Sequence, residues 1–166
     1  MILGASGFIG SNLFHKIAKY RNDTYAVVRN KNAWRLIGVS EDKIIECNLL
    51  DITSIKNLVD SISPKTIFNC VAYGAYSFEE DPSKIYSTNY LSLVNLISII
   101  AKKDIRAFVN AGSSSEYGNN SSAPIEGDAC FPNSHYAVSK MNAANYLTYM
   151  GKNLNFPCVH LRLYSV

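Results

Sequence analysis

No run in the chain is apolar for long enough to span a bilayer. The most apolar stretch, from Leu91 to Ala101, is broken by Ser92, Asn95 and Ser98, whereas a membrane helix needs about 20 apolar residues in succession. A charged leader followed by an apolar segment and a cleavage site is also missing, so export is not expected and a cytoplasmic location is. Excess charge of one sign is small: 16 basic and 13 acidic residues leave a net charge of +3. The lysines and arginines are scattered, with no basic stripe and no interleaved aromatics, which argues against nucleic acid as a partner. Cysteines are few and far apart; Cys47, Cys70, Cys130 and Cys158 have neither zinc-ligand nor disulfide-framework spacing. Free thiols in a reducing compartment are the expectation, and no metal site is. His15, His135 and His160 are equally isolated in the sequence, and structural roles are expected of them. Repeats and low-complexity tracts are missing too.

What is present is an ordinary globular composition, 48% hydrophobic and 17% charged over 166 residues, enough for one domain with a real core. Apolar β-branched runs near 1–3, 24–29, 43–47, 66–71, 105–111 and 157–163 alternate with helical patterns near 8–20, 52–62, 83–102 and 137–153. That alternation predicts a parallel sheet with crossover helices. Asp51, and Pro82 with Ser83, mark two helix starts, and Ser63-Pro64 ends the helix before the fourth strand. Between Tyr117 and Tyr136 runs a long connection rich in Gly, Pro, Ser and Asn, including Pro124, Gly127 and Pro132, suited to a substrate-facing loop.

The first strand leads into Gly4-Ala5-Ser6-Gly7-Phe8-Ile9-Gly10 and then a helical pattern with Leu13, Ile17 and Tyr20 on one face. Glycines at a strand-to-helix turn allow backbone conformations closed to other residues and let a diphosphate approach the main chain. The helix start offers free N–H groups and a positive dipole end to the phosphates. The intervals are Gly-x-x-Gly-x-x-Gly, one residue longer at the first step than the Gly-x-Gly-x-x-Gly dinucleotide fingerprint. The predicted fold is therefore a Rossmann-type doubly wound α/β sheet with helices on both faces. About twenty residues on, the second strand ends in Arg29-Asn30-Lys31. An arginine where an acid would hold the ribose 2′-hydroxyl tilts the reading toward NADP over NAD. Farther along, Tyr136 and Lys140 share one helical face, so an ammonium can sit beside a phenol and favour its ionised form. Bringing a tyrosine from about 10 to about 7 takes roughly 4 kcal/mol of differential stabilisation.

Taken together these residues resemble the extended short-chain dehydrogenase/reductase superfamily, in its NAD(P)-dependent nucleotide-sugar epimerase/dehydratase/reductase branch. The likeness runs along nearly the whole chain. Besides the glycine turn it includes Asn48-Leu49-Leu50-Asp51, Asn69-Cys70-Val71-Ala72, Thr88-Asn89, the stretch Asn110 to Gly118, the Tyr136/Lys140 pair and Leu161 to Val166. The resemblance implies that Ser113, four residues before Tyr117-Gly118, hydrogen-bonds the reacting oxygen of the substrate. Its neighbours Ser114 and Ser115 are equally hydroxylic and read as turn and cap residues. By the same likeness Tyr136 is the acid/base, and Lys140 orients the nicotinamide ribose and lowers the tyrosine pKa. Gly4, Gly7, Phe8, Ile9 and Gly10 lie against the diphosphate, Asn48 and Leu49 against the adenine, and Val71, Ala72 and Tyr73 along the cofactor's middle. Asn48 stands where the family usually has Asp.

Within that branch, 4,6-dehydratases follow the Ser/Thr with an Asp-Glu pair. This chain has Ser114-Ser115 there, and Glu116 comes one residue late, expected to point away from the site as a strand neighbour would. A 4-keto-sugar reductase or an epimerase acting on a nucleotide-diphosphate sugar is thus favoured over a dehydratase, and the sequence does not separate the two. Relatives have about twice the length, their second half supplying most of the sugar pocket, so residues 1–166 read as a truncated NAD(P)-binding domain. A dinucleotide-binding module without turnover, or an inactive truncated product, is the alternative. Relatives often pair through the helices that here are 83–102 and 137–153, which makes a homodimer the expected assembly.

Overall fold

The computed structural model describes residues 1–120 and 122–164; Ser165 and Val166, which close the last sequence resemblance, lie outside the described residues. Six parallel strands form one sheet in the order β3-β2-β1-β4-β5-β6. They are β1 (Ile2–Leu3), β2 (Ala26–Val28), β3 (Ile44–Glu46), β4 (Thr66–Asn69), β5 (Ala107–Ala111) and β6 (Cys158–Leu161). The direction of strand order reverses beside β1, where β4 takes up its other edge. A crevice opens at such a switch point, beyond the carboxyl ends of the strands.

The period of two along each strand divides the core. Leu3, Val27, Ile67 and Phe108 face one side, under α2 (Ile52–Ile62), α4 (Ser92–Ile100) and α5 (His135–Leu154). Ile2, Ala26 and Val28 face the other, under Phe14 of α1 (Phe8–Ala18) and Leu36. Helices therefore cover both faces, as the alternating pattern requires. On the side of β6 away from α5, Val159 is 54% and Leu161 43% exposed.

Local chemistry sets the helix ends. The Asp51 carboxylate accepts the Thr53 N–H at 2.9 Å at the start of α2, and Ser63 ends that helix in the left-handed region at φ 48°. Asp81, one residue before the proline that the sequence marks, caps α3 (Pro82–Tyr86) by accepting the Lys84 N–H. The pattern over 83–102 predicts one continuous helix. The backbone is helical without a break from Pro82 to Ile100, but its middle, Ser87–Leu91, is a π turn between α3 and α4 (Ser92–Ile100), and Asn89 sits in it with its amide donating to the Tyr73 carbonyl and the Ser139 hydroxyl, both at 2.8 Å. Among the described residues no helix is long and apolar enough to cross a membrane.

Candidate cofactor cleft and acid–base site

The glycine corner is built as tightly as its sequence suggests. Gly4 has φ +72°, and a β-carbon there would lie 2.8 Å from the Cys70 carbonyl carbon. At Gly10 a β-carbon would lie 2.3 Å from the Gly4 carbonyl oxygen, so glycine is what lets α1 pack onto β1. Gly7 is the N-cap of α1 and no side chain caps it; the first-turn N–H groups are left to an anionic ligand. Phe8 and Ile9, at the start of the helix, are 55% and 36% exposed.

Beside this corner lies a cleft of about 460 Å³, within the usual range for cofactor sites. Gly4, Ser6 and Gly7 form one wall, Arg29 and Asn48 with Leu49 close the β2–β3 end, and Val71, Ala72 and Tyr73 run along the β4 side. Arg29 is exposed there and free to meet a charged group. Asn48 is exposed and already accepts the Leu50 N–H through Oδ1 at 3.1 Å, which holds its turn. Phe8, Ile9 and Gly10 do not line the cleft; Gly10 sits behind Gly4. Sequence reasoning missed Cys70, Glu79 and Lys84 on the lining. The Lys84 ammonium stands 4.1 Å over the Tyr73 ring, and Glu79 accepts the Gly74 N–H at 2.8 Å. The signal that could have found them is only their place after the fourth strand, since their convergence is tertiary. A glycine cradle, an open helix start and an elongated half-apolar cleft fit a dinucleotide.

Beyond the carboxyl end of β5 the Ser113 hydroxyl partners the Tyr136 phenol, and Lys140 lies one turn farther along α5; none of the three is on the lining of the cleft. Lys140 is buried, and its ammonium donates to the Ala111 carbonyl at 2.6 Å, two residues from Ser113. Burial lowers its pKa to about 8, against which the negative charges of Glu116 and ionised Cys70 work. Burial pushes the Tyr136 phenol above its ordinary value; the Ser113 hydroxyl acts in the opposite sense as a hydrogen-bond partner, and the Glu116 and Glu79 carboxylates push upward again. That direction is opposite to the one the Tyr136/Lys140 spacing suggests, because the ammonium is bonded to a main-chain carbonyl and the phenol is half-buried. Cys70 is raised to about 11 by burial, partly offset by Lys140, which makes it an inert thiol.

Ser113 caps a 3₁₀ turn, Ser114–Tyr117, its hydroxyl accepting the Ser115 N–H at 3.1 Å. Ser114 and Ser115 are turn residues, as read from the sequence. Glu116 points away from the cleft, though not by strand alternation: it lies in this turn, is fully buried, and accepts the Ser113 N–H at 2.8 Å. His160 is not isolated, since its Nε2 meets Glu116 at 2.9 Å.

Residues 1–166 match the NAD dependent epimerase/dehydratase family throughout. Protein CapI of Staphylococcus aureus is 25% identical over 178 residues, covering 100% of this chain and 53% of that protein. The ADP-L-glycero-D-manno-heptose-6-epimerase of Brachyspira hyodysenteriae is 30% identical over 175 residues, covering 100% and 54%. The chain thus spans about half the length of the curated relatives it matches. Among solved structures, UDP-glucuronic acid 4-epimerase from Bacillus cereus, in complex with NAD, superposes with a TM-score of 0.81 at 22% identity over 99% of this chain and 56% of that one. The UDP-Glc/GlcNAc 4-epimerase of Campylobacter jejuni gives 0.86 at 22% identity, over 97% and 51%. At that identity the likeness is one of fold, and it agrees with the six-stranded sheet. With its glycine corner, its switch-point cleft and a family match over its full length, the chain belongs to the NAD dependent epimerase/dehydratase family, within the extended short-chain dehydrogenases/reductases.

Proposed function

We propose that this chain is the NAD(P)-binding domain of an enzyme that moves hydride to or from a ring carbon of a nucleotide-diphosphate sugar. The observation that carries the reading is the partnering of the Ser113 hydroxyl with the Tyr136 phenol, one helical turn from Lys140, whose neighbour Cys70 lines the cleft that runs to the glycine corner. When bound, a nicotinamide cofactor supplies the hydride chemistry. The protein's own part is binding and proton handling. Gly4 and Gly7 with the start of α1 hold the diphosphate. Val71, Ala72 and Tyr73 flank the middle of the dinucleotide. Leu49 offers an apolar surface to the adenine, and Asn48 a polar edge. Tyr136 exchanges the proton of the reacting sugar hydroxyl, Ser113 hydrogen-bonds that oxygen, and Lys140 orients the ribose. Arg29 at the open end favours a 2′-phosphate, hence NADP, with NAD as the other cofactor.

Ketone reduction and epimerisation through a transient keto sugar are both within reach of the same residues. Elimination of water is disfavoured, since Ser114 and Ser115 occupy the positions where an acid pair would be needed and the nearest acid, Glu116, is buried away from the cleft. Product analysis with the chain joined to the region its relatives carry beyond it separates the two: a reductase consumes one NADPH per turnover, whereas an epimerase returns its cofactor unchanged. Binding of NADPH and NADH with no turnover of any nucleotide sugar would favour the module without catalysis.

A further inference from the structure

The sheet register places Asn69 opposite Asn110, and Asn110 opposite His160. These side chains form a bonded row across three strands. Asn69 Oδ1 accepts the Val71 N–H at 3.3 Å, and the Asn69 amide donates to Asn110 Oδ1 at 2.7 Å. Asn110 Nδ2 lies 3.0 Å from His160 Nδ1, and His160 Nε2 lies 2.9 Å from Glu116 Oε1. An amide nitrogen only donates, so His160 Nδ1 accepts and Nε2–H donates to the carboxylate. Glu116 Oε2 accepts Arg162 Nε–H at 3.0 Å from the far side. Arg162 also donates to Tyr117 Oη and to the Glu126 carbonyl, both at 3.0 Å, which ties in the long loop after the turn.

A fully buried carboxylate is a costly way to hold one short turn, since its desolvation has to be offset by several donors. Here three converge on it, from Ser113, His160 and Arg162. Burial by itself would raise Glu116, yet its hydrogen bonds to His160, the Ser113 N–H and Arg162 hold it below the usual value. Ser113 is thereby held at two points: its main-chain amide donates to Glu116, and its side-chain hydroxyl accepts the Ser115 N–H.

We propose that Glu116 is a positioning residue for Ser113: gripped by His160 and Arg162, its carboxylate holds the Ser113 amide and so aims the Ser113 hydroxyl at the substrate side of Tyr136. The asparagine row extends the same frame to Val71 on the cleft wall. This rests on the reading of Ser113 as the partner of the reacting oxygen.

Glu116→Gln keeps the shape and removes the charge that the donors face. In the full chain, hydrogen exchange followed by NMR should show the Ser113 and Ser115 amides exchanging at least tenfold faster than in the parent, with NADH affinity within twofold. His160→Gln, a milder change that leaves the Arg162 pair, should shift the same amides in the same direction by less. With UDP-glucose as probe substrate, Ser113→Ala and Glu116→Gln should each lower kcat, and the double variant should be no slower than Ser113→Ala, because Glu116 acts through Ser113. Unchanged amide exchange in both the Glu116 and His160 variants, or losses of kcat that add, would overturn the positioning role. The exchange measurement needs no substrate and decides alone where the probe is not turned over. Undiminished turnover in Ser113→Ala is a different failure, that of the Ser113 reading itself, and it removes the proposal with it.

Discussion

Lys140 carries a charge that its surroundings do not favour. It is buried against the Ala111 carbonyl and its pKa falls to about 8 from 10.5. Between those values the unfolded chain binds more protons than the folded one, so stability rises with pH across that window. Denaturant unfolding of the parent and of Lys140→Met, compared at pH 7 and pH 10, should show the parent gaining up to about 3 kcal/mol relative to the variant at the higher pH. A constant difference would mean that the ammonium is not strained. Tyr136→Phe tests the neighbouring group: NADH affinity should stay within a few-fold while turnover of a nucleotide sugar falls by at least about 100-fold, the scale of a lost general acid/base. That Tyr136 and Lys140 share one helix was legible because helical spacing is local. The direction of the phenol's shift was not, since it depends on burial and on Glu116 and Glu79, which the fold brings in from elsewhere.

At the scale of elements, the glycine corner and most strand and helix positions follow from patterns within single segments. Gly10 is the sharpest case: Gly10→Ala would drive a β-carbon into the Gly4 carbonyl, and a loss of about 1–3 kcal/mol in unfolding free energy, with weakened NADH binding, is expected. An unchanged melting curve would show that α1 can move off its strand freely. What was not legible depends on register between distant segments. The Asn69–Asn110–His160 row exists only because β4, β5 and β6 pair as they do. The π turn at Ser87–Leu91 likewise lies inside a helical pattern that reads as continuous, and its Asn89 finds partners in Tyr73 and Ser139. The turn at Ser113 adds a pH signature. Glu116 is held below its ordinary value of 4.5, so its contribution is fully present above that pH and is lost as pH falls through the lower folded value. The parent should lose stability on acidification more steeply than Glu116→Gln; parallel curves would show that the carboxylate is not held ionised.

Across the whole molecule, one cleft joins residues from the turn before α1, the ends of β2, β3 and β4, and the loop into α3. Arg29 sits at its exposed end and should set the cofactor: Arg29→Ala is expected to weaken NADPH by about tenfold or more, the worth of a charge-assisted hydrogen bond, and to leave NADH nearly unchanged. Equal effects on the two would assign Arg29 no part in the choice. A crystal structure of the chain with NADH bound tests most directly whether the cleft and the Ser113–Tyr136–Lys140 region serve one dinucleotide. The account predicts the diphosphate at Gly4 and Gly7, and the nicotinamide ribose within hydrogen-bond reach of Tyr136 Oη and Lys140 Nζ. A dinucleotide bound in the reverse sense, or outside this cleft, would contradict it.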